Sequence, residues 1–256
     1  MDGWTLLANG FWYSGTILAI LGAHEFGHYC LCRKYNIDAT LPYFIFAPPD
    51  LVLTGTLGAI IRIREPFPTK TALFDVGVAG PIAGFLVLVP ALFIGLKMSA
   101  VTVDPADSTG LIFLGEPLLM RAATWLVFGT LPEGQIVNMH PILFATWFGM
   151  LATAVNLLPF GQLDGGHISY ATIGRWSTPL SLATVLFAVV MTFHSLSWLF
   201  MTLLMLLMLA VLGPRHPRVL YEYEPLVRDR KAVAVFALII LIICFTPAPI
   251  ELIRPK

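Results

Sequence analysis

Long apolar runs dominate this chain and restrict it to folds that lie in a membrane. Crossing the hydrocarbon core of a bilayer, about 30 Å thick, takes roughly 20 apolar residues in a helix. Only 12% of the residues are charged, against about 25% in an ordinary soluble domain. The sequence therefore predicts an integral membrane protein. Four apolar runs are plain: 5–31, 71–96, 140–158 and 231–247.

A fifth apolar stretch, residues 179–212, is too long for a single span. As one helix it would extend about 51 Å at 1.5 Å per residue. We expect two short spans that turn near His194, Ser195 and Ser197, which gives an all-α polytopic membrane protein with about six transmembrane helices. No basic stretch precedes the first run, so we expect that run to be a retained helix and not a cleaved signal peptide.

Positive charge collects on one side of this six-helix arrangement. With the N-terminus outside, eleven of the fifteen Lys and Arg residues fall in inner loops. Cytoplasmic loops carry the excess of Lys and Arg, so this orientation is favoured over its inverse. The net charge is zero, and no basic surface indicates a nucleic-acid partner. The inner set comprises Arg33, Lys34, Arg62, Arg64, Lys70, Arg175, Arg215, Arg218, Arg228, Arg230 and Lys231.

Two further apolar segments are not expected to cross the bilayer. Residues 111–131 contain Glu116, Pro117 and Arg121, which favour the outer interface or a re-entrant position. Residues 41–64 are interrupted by prolines and glycines, and their second half alternates weakly with a period of two. Non-helical backbone at membrane depth must be buried in protein or line a watery cavity. We therefore expect residues 41–64 to form a membrane-dipping segment resembling a β-hairpin.

The first apolar run contains the sequence His24-Glu25-Phe26-Gly27-His28. The four-residue step places both imidazoles on one helical face, one turn apart, which suits the binding of one zinc ion. Glu25 projects about 100° away from His24 and is the candidate general base. Ionisable residues in an apolar helix are costly to insert, which argues against a chance match to the motif.

A catalytic zinc site uses three protein ligands, so one must come from another part of the chain. The best candidate is Asp164, which follows the third long run where Pro159, Gly161, Gly165 and Gly166 interrupt it. A helix unwound at membrane depth can present a carboxylate to a polar site. An ordinary turn at a helix end is the alternative, but in the six-helix arrangement Asp164 and His24 lie near the same side.

The remaining histidines are weaker candidates. His167 is interpreted either as a residue that orients a ligand or contacts an oxyanion, or as a cap of the loop. His140, His194 and His216 lie at span ends or in a loop and are expected to be interfacial. In the second run, Gly80 and Gly84 with Pro81 fit either close helix packing or a substrate path.

The two motifs together resemble the site-2 protease family of zinc intramembrane metalloproteases. That family combines HExxH in one transmembrane helix with an NxxPxxxxDG-type segment in a later one, matched here by Asn156, Pro159, Asp164 and Gly165. Residues 57–64, 74–77 and 79–84 also resemble the bacterial and plastid branch that includes the chloroplast EGY-type proteases. The resemblance covers about residues 20–175, and the chain has room for neither the PDZ domain nor the CBS pair of many relatives.

The resemblance implies a site and a reaction. One zinc ion per chain would be held by His24, His28 and Asp164, with Glu25 activating water. Asn156 would hold the substrate or its oxyanion. Residues 41–64 would pair with an unwound substrate segment. The substrate-contact candidates are Asn156, His167 and Gly58.

The implied activity is hydrolysis of a peptide bond within or near a transmembrane segment that enters laterally from the bilayer. We expect one membrane protease domain over 1–256, with a catalytic core at 5–175 and additional helices at 179–247. The expected location is a bacterial cytoplasmic membrane, with the active site toward the cytoplasm. A catalytically silent scaffold or chaperone of the same fold and a zinc transporter are the alternatives.

Overall fold

A computed structural model describes residues 2–48, 55–103, 112–214, 216–227 and 229–252 of the protein. Several residues used in the sequence argument lie outside this part of the chain. They are residues 49–54 of the predicted hairpin segment and residue 111 of the segment 111–131, together with Arg215 and Arg228.

Helices dominate the described residues, and the first two form the centre of the structure. Helix α1 is capped by Asp2 and helix α2 by Thr69, each through a side-chain oxygen that accepts a backbone N–H. The two helices pack closely along their lengths and run antiparallel, since Gly27 meets Ala79 while Gly84 meets Ile20. Their bounds are α1 Gly3–Lys34 and α2 Lys70–Met98.

The later helices surround this pair. Helix α4 packs against α1, α2 and α8, and its Trp147 and Met150 are fully buried. A single 3₁₀ turn, Gly174–Trp176, connects α5 to α6. The bounds are α3 Leu118–Phe128, α4 Pro141–Asn156, α5 Asp164–Ile173, α6 Ser177–His194, α7 Trp198–Leu212 and α8 Arg230–Cys244.

Within the described residues, three helical segments are long and apolar enough to cross a membrane: Gly3–Lys34, Lys70–Met98 and Asp164–His194. The first two coincide with predicted spans. The split of 179–212 into two helices around residues 195–197 is also observed, because α6 ends at His194 and α7 begins at Trp198. Helices α4 and α7 are apolar but shorter, with 16 and 15 residues. The protein is thus a mostly helical membrane protein.

The segments outside the helices contain short strands, which form three antiparallel pairs in the described residues. Strand β1 (Tyr43–Phe46) pairs antiparallel with β2 (Thr56–Ile60) inside the segment predicted to be β-like. The sequence did not predict the other two pairs, and the all-α description was too simple in this respect. They are β3 (Ala100–Val103) with β5 (Gln135–Asn138), and β4 (Ile112–Leu114) with β6 (Ile250–Leu252).

The segment 111–131 is not one continuous helix. Strand β4 occupies its start, and α3 has only 11 residues, which is about 17 Å of helix and too short to span. Its Arg121 pairs with Glu116 at the surface. A non-spanning position for this segment agrees with the short helix.

A partly buried ion pair connects α2 and α8 and contacts the residue that follows α1. Arg230 at the start of α8 donates hydrogen bonds of 3.0 and 2.7 Å to the Asp75 carboxylate, which also accepts one from the Tyr35 hydroxyl. Arg64 and Asp38 form a second pair, at 3.2 Å, with side chains 57% and 47% exposed. The Arg230 and Asp75 side chains are only 27% and 16% exposed.

This difference in exposure predicts unequal effects on stability. In Arg230→Met, the mostly buried Asp75 charge loses its cation, and the free energy of unfolding should fall by about 2–3 kcal/mol. Arg64→Met is the matched control and should cost less than about 1 kcal/mol, because its partners are solvated. Denaturant unfolding in detergent micelles measures both. Equal losses in the two variants would contradict the role assigned to Arg230.

Candidate metal centre

Helix α1 carries two histidines and a glutamate on a buried part of its surface. His24, Glu25 and His28 are 5%, 7% and 7% exposed. The Nε2 atoms of the two histidines lie 3.1 Å apart, as the four-residue spacing predicts. Among the described residues, these three form the group of His, Cys, Asp and Glu side chains that could hold a metal ion.

The ring of His28 is held in the orientation that a metal ligand needs. Its Nδ1 lies 2.7 Å from the backbone oxygen of Val76 in α2. A carbonyl oxygen can only accept, so Nδ1 carries the proton and Nε2 keeps its lone pair. Hydrogen bonds of this kind fix the tautomer of metal-bound histidines.

Asp164, from a later part of the sequence, lies beside the same two histidines. Its Oδ2 lies 3.2 Å from Nε2 of His24 and its Oδ1 lies 3.3 Å from Nε2 of His28. Asp164 is the first residue of α5, where the positive end of the helix dipole favours a carboxylate. The structure therefore brings together the three side chains that the sequence predicted as ligands.

The surroundings of Asp164 differ from the sequence interpretation in one respect. The unwound segment covers only residues 157–163, and Gly165 and Gly166 belong to the first turn of α5. A Cβ on Gly165 would lie 2.0 Å from the oxygen of Leu157, and one on Gly166 would lie 2.3 Å from the oxygen of Gly161. These glycines do not break the helix. They let its first turn pack against the preceding loop and so position Asp164.

The spacing of the donor atoms fits a tetrahedral metal ion. Zinc bonds to nitrogen and oxygen are about 2.0–2.1 Å long, which places neighbouring ligand atoms of a tetrahedron about 3.3 Å apart. The two Nε2 atoms lie 3.1 Å apart, and each lies 3.2 or 3.3 Å from one Asp164 oxygen, Oδ2 for His24 and Oδ1 for His28, which is close to this value. If both ring nitrogens are unprotonated, they would repel each other at this distance, and a cation between them would remove that repulsion. The carboxylate of Glu25, 3.9 Å from His24, lies beside this set.

Glycines of α2 allow this helix to approach the histidines. A Cβ on Gly80 would lie 2.1 Å from Nε2 of His28, and one on Gly84 would lie 3.2 Å from Cβ of His24. Of the two sequence interpretations for these glycines, close packing is what the structure displays. The space that they leave is filled by the two candidate ligands.

Two neighbouring groups provide polar contacts beside the candidate ligands. The side-chain nitrogen of Asn156, the last residue of α4, lies 3.4 Å from Nε2 of His24. The backbone of Ile61, directly after β2, lies close enough to Glu25 to interact electrostatically with its carboxylate. The sequence analysis did not predict the contact with Ile61, because backbone groups leave no signature in the side-chain pattern.

The β1–β2 pair lies against α1 near the histidines. Phe44 of β1 approaches Gly22, two residues before His24, and would lie 3.6 Å from a Cβ there. Gly58 in β2 has a φ of 110°, a value that favours glycine. It pairs with Ile45 and has open space at its Cα. Gly58 lies three residues before Ile61 in the sequence. Among the described contacts, none joins Gly58 to the candidate ligands.

Two of the other histidines are remote from the metal ligands in the described contacts. His140 caps α4, where its ring accepts the N–H of Ile142, and it packs edge-on against Trp12. His194 is exposed at the end of α6. His216 is different, because its Nε2 lies 2.6 Å from Nδ1 of His167 on α5. Sequence reasoning missed this contact; the only local signal is that Pro214 and Pro217 stiffen the loop that carries His216.

Comparison with known proteins agrees with this site. The sequence profile of peptidase family M50 matches residues 12–200, a range that includes His24, His28 and Asp164. The chain belongs to peptidase family M50. Resemblance to the site-2 proteases, inferred from two motifs, is thereby confirmed.

Curated relatives of this M50 member include plant proteins. The chain is 29% identical over 246 residues to a rice (Oryza sativa subsp. indica) protein described as "Probable zinc metalloprotease EGY2, chloroplastic", covering 93% of the chain and 44% of the relative. It is 31% identical over 179 residues to the Arabidopsis thaliana protein of that description, covering 68% and 31%. The chain thus spans less than half the length of these relatives.

Proposed function

We propose that the protein is an intramembrane zinc metalloprotease that hydrolyses a peptide bond within or near a transmembrane segment of a membrane protein. The observation that carries this proposal is the buried set of His24, His28 and Asp164 at tetrahedral spacing, with Glu25 beside it. Membership of the M50 family and the names of the plant relatives support it.

In this proposal, His24, His28 and Asp164 hold one zinc ion. Bound zinc lowers the pKa of a water molecule to about 7 and polarises a carbonyl oxygen. Glu25 takes a proton from the attacking water and returns it to the nitrogen of the departing segment.

Substrate binding is assigned to the groups around Glu25. The amide nitrogen of Asn156 donates to the carbonyl oxygen of the scissile bond and to the oxyanion that develops there. The β1–β2 pair, including Gly58, adds an unwound substrate segment as a further strand. All four residues of β1 are exposed, which leaves side chains free to contact a substrate or lipid. The substrate enters laterally and the β1–β2 pair dips into the membrane.

The proposed topology has six spans with the N-terminus outside, and contacts between loops support it. Loops expected inside touch one another, as Lys70 with Glu222 and Thr69 with Tyr221. Loops expected outside also touch one another, since β4 pairs with β6 and Ser197 bonds to Ile250.

The whole chain forms one membrane domain in this proposal. Residues 216–230 contact the catalytic core at 5–175 through His216 and Arg230, so the later helices are part of the same unit. The membrane is the bacterial cytoplasmic membrane expected from the sequence. The names of the plant relatives indicate a chloroplast location for those proteins. The same six-span topology would also fit a chloroplast membrane.

Zinc analysis tests the ligand assignment. Purified protein should contain about one zinc per chain, and both His24→Ala and Asp164→Ala should lose it, because two remaining ligands do not hold zinc in a catalytic site. His194→Ala, at an exposed position, is the matched control and should keep its zinc. Full zinc content in Asp164→Ala would exclude Asp164 as the third ligand.

Cleavage tests the activity itself. The probe is a pool of synthetic single-span peptides with a Gly-Pro pair at stepped depths, incubated with the protein in detergent micelles and analysed by mass spectrometry. Helix-breaking residues unwind the span locally and expose its peptide bonds. Wild type should cleave at least one member near the Gly-Pro pair. No cleavage by zinc-loaded wild type would favour a silent scaffold of the same fold.

A further inference from the structure

A loop from the C-terminal part of the chain packs against the helix that carries Asp164. The ring of His216 stacks on Tyr170 of α5, with centroids 4.4 Å apart and planes 15° from parallel. The hydroxyl of Tyr170 donates to Glu222 over 2.7 Å, and Glu222 pairs with Lys70 at 3.2 Å. Residues 216–222 are therefore fixed against α5 and the start of α2, and we call them the His216 loop.

Backbone contacts hold the same loop. The N–H groups of Leu220 and Tyr221 donate to the carbonyl oxygens of Phe67 and Pro68, over 3.0 and 2.8 Å. The part of the chain that matches the M50 profile ends at residue 200, so this loop lies beyond it. The His216 loop is thus a rigid structure next to the candidate metal centre that the family match does not explain.

The hydrogen bonds of His216 determine which of its nitrogens carries the proton. Its Nδ1 lies 2.6 Å from the oxygen of Pro217, and a carbonyl can only accept, so Nδ1 is protonated. Burial lowers the pKa of His216, which favours the neutral ring. A neutral ring protonated on Nδ1 has a lone pair on Nε2. His216 thus acts as an acceptor toward His167.

The proton position in His216 also determines which nitrogen of His167 is protonated. Its Nδ1, 2.6 Å from Nε2 of His216, must donate, which leaves the Nε2 of His167 as an unprotonated acceptor. Among the described residues, Nε2 of His167 has no hydrogen-bond partner. The ring cannot donate to an oxyanion from this nitrogen while it is neutral. The oxyanion role expected for His167 from the sequence is therefore replaced here by an acceptor role.

His167 lies next to the face of α2 that contacts the candidate ligands. His167 lies one helical turn after Asp164, and its Cβ would be 3.0 Å from a Cβ on Gly77. Gly77 lies on the same face of α2 as Gly80 and Gly84, which contact the two zinc-ligand histidines. An extended peptide bound there offers backbone N–H groups as well as carbonyls. Asn156 supplies a donor for the carbonyl, and His167 supplies an acceptor.

We propose that the His216 loop holds His167 in the Nδ1–H tautomer, so that Nε2 of His167 accepts a hydrogen bond from a backbone N–H of the bound substrate. His216 is then a positioning residue and His167 a substrate-binding residue. The substrate half of this proposal rests on the proposed protease function. The tautomer half does not, and it can be tested without any substrate.

Nitrogen NMR tests the tautomer. The full-length, zinc-loaded protein is labelled with ¹⁵N-histidine in detergent micelles, and the His167 signals are assigned by their loss in His167→Gln. Wild type should carry the proton on Nδ1 of His167. His216→Ala should move it to Nε2, whereas His216→Gln keeps an acceptor oxygen near the position of Nε2 and should retain the wild-type state. Tyr223→Ala, in the fully exposed residue that directly follows the His216 loop, is the control.

Each NMR result decides the proposal. A proton on Nε2 of His167 in wild type, or an unchanged tautomer in His216→Ala, would overturn it. Zinc content is measured on every sample and should be unchanged in the His216 variants, because His216 is not a ligand. Loss of zinc in His216→Ala would indicate a structural role for the loop and would also overturn the proposal.

Ester substitution tests the contact with substrate. A peptide that wild type cleaves is prepared with single backbone esters at positions flanking the cleaved bond, each of which removes one N–H. One ester should lower kcat/KM about tenfold in wild type, as expected for one lost hydrogen bond. The same ester should cost less than about twofold in His216→Ala. An equal penalty in both proteins would overturn the substrate contact, whereas absence of any cleavage would refute the protease function and leave the tautomer result standing.

Discussion

Glu25→Gln should abolish most peptide cleavage and leave zinc binding intact. General acid–base groups contribute about 10²–10⁴-fold to rate, so kcat should fall by about that factor. The carboxamide has nearly the same shape as the carboxylate but cannot take a proton from water. Zinc should be retained because its three ligands, His24, His28 and Asp164, are unchanged and already at tetrahedral spacing.

Cleavage rate and zinc content are measured on the same preparation. Glu133→Gln, in an exposed loop residue, is the matched control and should cleave at the wild-type rate. Undiminished cleavage by Glu25→Gln would rule out Glu25 as the base. Loss of zinc together with activity would instead make Glu25 a ligand, and the assignment of Asp164 would then have to be revised.

Gly80→Ala should weaken zinc binding by about 100-fold or more. The added Cβ would lie 2.1 Å from Nε2 of His28, so the ring must move. The hydrogen bond from His28 to Val76 opposes this movement. Either this bond breaks or the backbone around residue 80 shifts. Changes that only misorient a metal ligand already cost about 10–100-fold in affinity. A methyl group that occupies the place of the ligand atom should cost at least as much.

A second tight glycine of α2 separates this effect from general damage to packing. A Cβ on Gly95 would lie 2.7 Å from the backbone nitrogen of Leu143, far along the helix from His28. Gly95→Ala should lower stability but retain normal zinc affinity. Competition with a chelator measures affinity, and thermal unfolding of the zinc-free proteins measures stability. Normal zinc affinity in Gly80→Ala would show that His28 does not occupy this space in solution.

The candidate metal ligands could be selected from the sequence because each has a local signature. The i, i+4 spacing of His24 and His28 places them on one helix face before any tertiary contact is known. Asp164 is recognisable as a carboxylate in a break after an apolar run. Their positions in the structure, within 3.3 Å of one another, match that expectation. The length of the apolar runs likewise predicts an integral membrane protein without any tertiary information.

Other features depend on tertiary contacts that no local pattern encodes. Gly165 and Gly166 appeared to break a helix, but in the structure they allow close backbone approach. From the sequence, Gly80 fits either close helix packing or a substrate path, and only the position of His28 distinguishes the two interpretations. His216 lies in a loop without periodicity, and its partner His167 is 49 residues away. The short strands also pair across long separations, which length and composition do not indicate.

The order of synthesis sets the time at which the candidate metal centre can form. His24 and Asp164 are separated by 140 positions, and the His216 loop follows later still. At about 5–20 residues per second, translation leaves an interval on the order of 10 s during which α1 carries both histidines and Glu25 without their carboxylate partner. The nascent chain would therefore be unable to cleave neighbouring membrane proteins near its site of insertion. Activity would begin only when α5 has been placed beside α1.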